Sequence, residues 1–236
     1  MLQRKISLLV LKNIWTAIRV RGDYKLKWEK EEKKLQDFYR EAILKFGDSA
    51  EGAHWSSKDS QNKRFEILLN IAPMKNLSIL DFGCGSGAML DYINSRKDFS
   101  NISYTGCDIL PEALEIAGKK YKGLPNVRWG EFKDFSDEMF DYILVSGVFN
   151  TKMDNNEEYY QDYLKKLWKH ASKGLAFNMM SSYVDYYDSE LFYEKPEKVF
   201  AFVKNNLSPY VVLRNDYQVK PGTVPFEFAV YVYRKS

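Results

Sequence analysis

The sequence contains few of the residues that build disulfide frameworks and metal sites. Its 236 residues include two cysteines, Cys84 and Cys107, and two histidines, His54 and His170. Two cysteines give neither a disulfide framework nor a paired metal-ligand spacing, and the histidines do not form a His-x-x-x-His pattern. We therefore predict reduced thiols, a cytoplasmic location and no metal site.

The sequence also lacks a strong charge of one sign. Lysine and arginine number 35, aspartate and glutamate number 32, and the net charge of +3 creates no dominant field that would attract nucleic acid. The apolar run at residues 6–11 is too short to span a bilayer, and Lys12 interrupts it. No small-residue cleavage site follows this run, so we predict neither a transmembrane segment nor a signal peptide.

A glycine-rich turn directly after an apolar strand is the most informative motif. Residues 78–88 read Ser-Ile-Leu-Asp-Phe-Gly-Cys-Gly-Ser-Gly-Ala. Glycine permits a positive φ or the close approach of a ligand, and the following helix offers unpaired N–H groups at its start. The motif therefore predicts that Gly83 and Gly85 bind a small molecule that contains adenosine.

An acidic residue at the end of the next predicted strand supports this interpretation. Residues 102–108 read Ile-Ser-Tyr-Thr-Gly-Cys-Asp, and Asp108 stands about 20 residues beyond the glycines, as a ribose-binding carboxylate does. A carboxylate can accept hydrogen bonds from both hydroxyls of a ribose diol. Because Gly83, Gly85 and Ala88 also satisfy the dinucleotide fingerprint, an NAD-dependent oxidoreductase remains an alternative here.

These segments together resemble the class I S-adenosylmethionine-dependent methyltransferases. Residues 80–87 and 104–112 carry the strongest likeness, and residues 126–132 and 140–150 fit the same order of strands. The resemblance implies S-adenosylmethionine as cofactor and an α/β, doubly wound, Rossmann-like fold with a mostly parallel seven-stranded sheet. Apolar runs near the C-terminus predict an antiparallel hairpin, which fits this family better than a dehydrogenase.

The predicted elements divide the chain into two parts. Residues 1–72 form an N-terminal helical extension or lid, and residues 73–236 form the methyltransferase domain. The basic and apolar N-terminal segment, which includes Trp15, is a candidate to pack on the domain or a second subunit, giving a homodimer, or to contact an anionic membrane surface. A non-catalytic adaptor that keeps the fold and binds through these helices is a further alternative.

The resemblance also implies which residues hold the cofactor. The glycines and the carbonyl groups after strand four would meet its methionine part, and two residues after strand three would lie near its adenine. In similar methyltransferases an arginine before the first strand clamps the methionine carboxylate bidentately, and Arg64 is the candidate. Asp81 would hold the glycine loop, or the amino group through water. The full set is Arg64, Asp81, Gly83, Gly85, Asp108, Ile109, Glu131, Phe132, Ser146 and Gly147.

The methyl acceptor should bind outside the carboxyl ends of strands four and five. Residues 181–188 combine hydroxyls, acids and aromatic rings in a predicted loop, a composition suited to a polar small molecule or a sugar. Tyr183 and Asp185 are candidates to orient the acceptor or act as a base, and His54 is the histidine to test as a base. We predict methyl transfer to oxygen or nitrogen of a small polar acceptor, such as a sugar or a capsule or polysaccharide precursor.

Overall fold

The computed structural model describes residues 27–49, residue 52 and residues 57–235. His54 and Trp15, which the sequence singled out, lie outside the described residues. The chain separates into two compact units, Met1–Asp37 and Phe38–Ser236. The described residues of the first unit, 27–37, are helical. Residues 38–72, which we assigned to the extension, fall in the same compact unit as the sheet.

The second unit alternates strands and helices along the chain. Residues 27–46 form helix α1, of which residues 38–46 belong to the second unit. The other α-helices are α2 (Lys58–Leu69), α3 (Ala88–Ser95), α4 (Pro111–Lys120), α5 (Asn156–Trp168) and α6 (Pro196–Asn206). The strands are β1 (Lys75–Phe82), β2 (Ser100–Cys107), β3 (Val127–Gly130), β4 (Phe140–Val145), β5 (Ala171–Ser181), β6 (Tyr193–Glu194), β7 (Tyr210–Arg214) and β8 (Glu227–Tyr233), and Phe132–Phe135 form a 3-10 turn.

The ends of several helices follow from local sequence. The side chain of Ser57 accepts a hydrogen bond from the backbone N–H of Ser60 and so caps α2. Pro111 and Pro196 stand in the first turns of α4 and α6, where a missing N–H costs nothing. Helix α5 ends at Trp168, and Ala171 already pairs with β4 and begins β5.

The sheet has the strand order β3-β2-β1-β4-β5-β8-β7. Strands β1 to β5 are parallel, whereas β8 runs antiparallel to both β5 and β7. The doubly wound sheet and the antiparallel C-terminal hairpin are therefore confirmed. The short strand β6, which the sequence did not predict, pairs in parallel with the end of β5. None of the described helices is long and apolar enough to cross a membrane.

Helix α2 packs closely on this sheet. Its apolar residues Phe65, Ile67, Leu68 and Leu69 are buried in the main core cluster. The hydroxyl of Tyr231 in β8 donates a hydrogen bond to the carbonyl of Ile67, which fixes the helix against the strand. Strand β8 thereby holds helix α2, which precedes strand β1 in the sequence.

Candidate functional site

The register of the parallel strands aligns the residues that form the site. The last residues of β1, β2 and β4 are level with one another, and the register extends to β3 and β5. The residues that follow this level therefore stand in one row across the sheet, in the order Glu131, Asp108, Gly83, Ser146 and Asn178. The first four come directly after the ends of their strands, whereas Asn178 lies within β5. Strand β1 lies between β2 and β4, so this row crosses the topological switch point, where open α/β sheets bind ligands.

The glycines of the loop after β1 have two different functions. Gly83 has φ +78°, and a Cβ built there would lie 2.3 Å from a methyl carbon of Val148, so this glycine allows the two loops to pack. Gly85 has φ +53°, and a Cβ there would meet nothing within 4 Å. Both positions favour glycine by their backbone conformation. Only Gly85 faces open space, as a residue in contact with a ligand would.

Asp108 is joined to the glycine loop. One of its carboxylate oxygens accepts a hydrogen bond from the backbone N–H of Gly85 at 2.8 Å, and the other accepts from the N–H of Leu110 at 2.9 Å. Burial raises the pKa of Asp108, and these backbone hydrogen bonds oppose the rise. The carboxylate that we predict to bind ribose is thus fixed beside Gly85, with Ile109 following it in the chain.

Asp81 is buried below this loop and is bonded to a tyrosine. The hydroxyl of Tyr104 in β2 donates to the Asp81 carboxylate. Burial raises the pKa of Asp81 to about 7; the Tyr104 bond opposes this, and the negative charge of Asp108 adds to it. The predicted role of Asp81 toward the loop or the amino group remains a prediction.

The two cysteines lie beside the same loop. Cys84 and Cys107 are both free and buried, and burial raises the pKa of each thiol. A thiol with a raised pKa is a weak nucleophile at neutral pH. The structure gives neither cysteine a chemical role.

The residues predicted to lie near adenine have different environments. Glu131 is exposed and accepts from the Nζ of Lys133 at 2.7 Å. Phe132 is buried, with its ring edge-to-face on Phe82 at a centroid distance of 5.7 Å. Glu131 is beside Asp108 in the row described above, so its position suits the predicted contact, which stays a prediction.

The turn after β4 contains polar atoms without a hydrogen-bond partner. Within the described residues, the hydroxyl of Ser146 and the side-chain oxygen of Asn150 are buried and unpartnered. The N–H of Gly147, which has φ +75°, donates to the side-chain oxygen of Asn178 at 2.9 Å. Because buried polar atoms are rarely left unpaired in proteins, each of these two oxygens needs a polar partner, either a ligand or a water molecule.

Arg64 has a partner that the sequence did not predict. It is buried, and its Nε donates to both carboxylate oxygens of Glu227, at 2.8 and 3.0 Å. Glu227 is fully buried at the start of β8 and lies 163 residues from Arg64 in the chain. No local pattern reveals a contact at that separation. The contact of Arg64 with the cofactor carboxylate remains a prediction.

The candidate acceptor residues are at the surface. Tyr183 and Asp185 are exposed in the loop that follows β5, and the hydroxyl of Tyr183 donates to Glu197 at 2.8 Å. A groove of about 690 Å³ lies next to this loop, between the start of α5 and the segment before β6. It is lined by residues 152–158, Gln161, Tyr187 and residues 191–193.

Tyr39 of helix α1 lies near the carboxyl edge of the sheet. The Tyr39 hydroxyl and the Thr151 hydroxyl are hydrogen-bonded at 3.0 Å. Burial raises the pKa of Tyr39, the Thr151 bond opposes this, and the nearby Asp108 raises it further. Tyr39 thus lies between the ribose-binding side and the turn after β4.

Further contacts hold the end of α1 to the glycine loop and to α4. Ile43 packs with Leu110 and Ala113. Asp48 accepts a hydrogen bond from the hydroxyl of Ser86 at 2.6 Å and pairs with Lys120 at 2.7 Å. Residues 38–49 therefore contact several parts of the candidate cofactor site.

Comparison with known proteins gives a family model and two curated relatives. A family model described as a methyltransferase domain matches residues 80–174. Rv1506c of Mycobacterium tuberculosis, which carries a methyltransferase name, is 31% identical over 170 residues, covering 67% of this chain and 94% of that protein. Cyclopropane-fatty-acyl-phospholipid synthase of Escherichia coli is 27% identical over 103 residues, 41% of this chain and 26% of the synthase.

Solved structures share the fold at low sequence identity. Magnesium protoporphyrin IX methyltransferase from Synechocystis PCC 6803, with bound S-adenosylhomocysteine, superposes with a TM-score of 0.58 at 10% identity, covering 86% of this chain and 99% of that one. The plantazolicin methyltransferase BpumL, in complex with a substrate analogue and the same product, gives 0.55 at 16% identity, covering 88% and 99%.

Proposed function

Because the chain belongs to the class I S-adenosylmethionine-dependent methyltransferases, we propose that it transfers a methyl group to oxygen or nitrogen of a small polar acceptor, such as a sugar or a polysaccharide precursor. Its fold and its relatives show the enzyme class and the cofactor. The NAD-dependent oxidoreductase and the adaptor are therefore set aside.

The residues at the carboxyl edge fit this cofactor. The open space at Gly85, the Asp108 carboxylate and the unpartnered Ser146 hydroxyl stand in or next to one row across the sheet. S-adenosylmethionine supplies, when bound, a methyl group on a sulfonium whose leaving group is a neutral thioether. The residues of the chain then have to hold both reactants in line and exclude water, which can contribute several kcal/mol to lowering the barrier.

The observation that carries the proposed acceptor class is the polarity of the turn after β4. Asn150 is buried with its side-chain oxygen unpartnered, while its backbone carbonyl accepts from Phe192 N–H at 2.8 Å and so fixes the residue in place. An apolar acceptor would leave that oxygen unpaired, which costs about 1–3 kcal/mol. A hydroxyl or amine on the acceptor would satisfy it. The exposed hydroxyl and acid of Tyr183 and Asp185 extend the polar surface nearby.

Residues 38–49 would act in this reaction as part of a lid. Their contacts with Thr151 and Ser86 connect the turn after β4 to the glycine loop, on either side of the open space at Gly85. We include these residues in the proposed cofactor site. The function of residues 1–26 in a homodimer or at a membrane stays a prediction.

Titration calorimetry with S-adenosylhomocysteine tests the cofactor site. We expect the wild-type protein to bind it, and Asp108→Ala to weaken binding by about tenfold or more because hydrogen bonds to a charged group are lost. Asp98→Ala is the matched control, since Asp98 is exposed and bonded only locally to Arg96 at 3.0 Å. Equal affinities of the Asp108 variant and the control would remove Asp108 from the site.

Methyl transfer from radiolabelled S-adenosylmethionine tests the acceptor class. We expect labelled product from a panel of sugars and amines and none from fatty acyl or porphyrin acceptors. Asn150→Leu should raise KM for the accepted compound more than it lowers kcat. Transfer only to an apolar acceptor, or to carbon, would contradict the proposal while leaving the cofactor site intact.

A further inference from the structure

A chain of buried hydrogen bonds connects helix α2 with the turn after β4. It begins at Arg64, whose Nη1 donates to the carbonyl of Ser60 at 3.0 Å and whose Nε donates to Glu227. Glu227 is fully buried, and Arg64 and Asn178 are 5% and 1% exposed. The chain of hydrogen bonds ends at the N–H of Gly147. These residues come from four elements that are far apart in the sequence.

Asn178 is the link between the ion pair and the turn. Its Nδ2 donates to Glu227 at 2.9 Å, and its Oδ1 accepts from the N–H of Gly147 at 2.9 Å. A carboxylate only accepts and a backbone N–H only donates, so the orientation of the amide group is fixed by its two neighbours.

Stability alone does not account for such a chain. A buried ion pair gains little over well-packed apolar residues, because removing two charges from water costs several kcal/mol. The chain of hydrogen bonds does, however, hold one backbone group in place, the N–H of Gly147. Gly147 has φ +75° and follows Ser146, whose hydroxyl is buried without a partner in the described part of the protein.

We propose that Arg64, Glu227 and Asn178 are positioning residues that hold the Ser146–Gly147 turn, so that the carbonyl group of Ser146 faces the ammonium group of the bound cofactor, while the carbonyl of Gly147 accepts from the N–H of Asn150 at 3.1 Å. The inference rests on the proposed function and on the predicted contact of Ser146 and Gly147 with the methionine part of the cofactor. It gives Arg64 a role through Glu227 and Asn178, in place of a direct clamp on the cofactor carboxylate.

The test compares the Kd values of two ligands, of which only one carries the amino-acid group of the cofactor. S-adenosylhomocysteine carries the amino-acid group, whereas 5′-methylthioadenosine shares the adenosine and the sulfur but lacks that group. In Asn178→Ala the turn loses its anchor, so the Kd for S-adenosylhomocysteine should rise about tenfold or more. The Kd for 5′-methylthioadenosine should change less than about twofold.

Tyr231→Phe is the matched control. It removes another buried hydrogen bond between β8 and α2, the bond to the carbonyl of Ile67, without touching the chain to Gly147. We expect it to lower the melting temperature without changing the ratio of the two Kd values. If Asn178→Ala does not fold, Arg64→Lys, which keeps the charge but loses the bidentate geometry, should show the same selective loss in weaker form.

Two results would overturn the inference. Equal weakening of both ligands would mean that the chain only stabilises the fold, and an unchanged Kd for S-adenosylhomocysteine in a folded variant would mean that the turn needs no anchor. A wild-type protein that binds neither ligand would instead contradict the proposed function, so the two failures are distinguishable.

Discussion

At the scale of single residues, Asp81 carries the clearest electrostatic consequence. Its carboxyl group is buried and its pKa is raised to about 7, mainly by burial, against an ordinary value of 3.8. The folded state therefore holds a proton that the unfolded state has released between roughly pH 4 and pH 7. The contribution of Asp81 to the free energy of unfolding therefore falls as the pH rises from about 4 to about 7, and it is constant above that range.

Asp81→Asn should remove that dependence. The amide oxygen can still accept from the Tyr104 hydroxyl, so the local packing is kept. The difference in unfolding free energy between variant and wild type should grow in favour of the variant by about 1.4 kcal/mol per pH unit between pH 4 and 7. Urea unfolding across this range measures it. Parallel stability curves for the two proteins would show that Asp81 titrates normally.

The glycine loop allows a second prediction from a matched pair. Gly83→Ala and Gly85→Ala both introduce a side chain at positive φ, which costs about 1–2 kcal/mol. Only Gly83→Ala also pushes against Val148, and overpacking adds about 1–3 kcal/mol. We expect Gly83→Ala to be the less stable protein in urea unfolding.

Ligand binding should distinguish the same two variants. Relative to the stability that each variant loses, Gly85→Ala should lose more affinity for S-adenosylhomocysteine than Gly83→Ala. The added methyl group at Gly85 points into open space, so it should weaken S-adenosylhomocysteine binding while leaving the fold intact. Calorimetry on both variants checks this. A Gly85→Ala protein with wild-type affinity would place the ligand elsewhere.

At the scale of elements, the sequence predicted those strands and helices whose positions depend on residues that are neighbours in the chain. Strands β1 and β2 were predicted because they lead directly into Gly83 and Asp108, and β4 was predicted from the resemblance of residues 140–150 to the family. Helix α2 was predicted as a helix, but its contact with Glu227 depends on a strand 163 residues away, which no periodicity reveals.

The end of α1 supports a prediction about local opening. Asp48 connects this segment to Ser86 and to Lys120, with its side chain about one third exposed. Asp48→Ala should loosen residues 38–49 and raise amide hydrogen exchange in the glycine loop about tenfold, because local opening with few contacts is inexpensive. The effect should be smaller at high salt, where the wild-type ion pair is already screened.

Mass-spectrometric exchange of peptides that cover residues 83–90 measures this opening. Asp98→Ala is again the matched control, since it removes an exposed ion pair with Arg96 that lies away from α1. Equal protection of the glycine loop in both variants would separate residues 38–49 from the proposed lid.

At the scale of the whole molecule, the site is completed by the two ends of the second compact unit. Strand β8, near the C-terminus, is inserted between β5 and β7, and its first residue reaches Arg64 in α2. The row of residues at the carboxyl edge draws on β1 to β5 together. A ligand that binds there contacts loops from most of the sheet and should stabilise the second unit as a single cooperative body.

This cooperativity gives the last prediction. A ligand that binds only the folded state at about 100 times its Kd adds about 2.7 kcal/mol to the unfolding free energy. S-adenosylhomocysteine should therefore raise the melting temperature in one cooperative transition, and NAD should not, because the family to which the chain belongs uses S-adenosylmethionine. Differential scanning calorimetry distinguishes the outcomes. A shift with NAD, or two transitions of which only the smaller responds to S-adenosylhomocysteine, would show that the carboxyl-edge loops do not fold and bind as one unit.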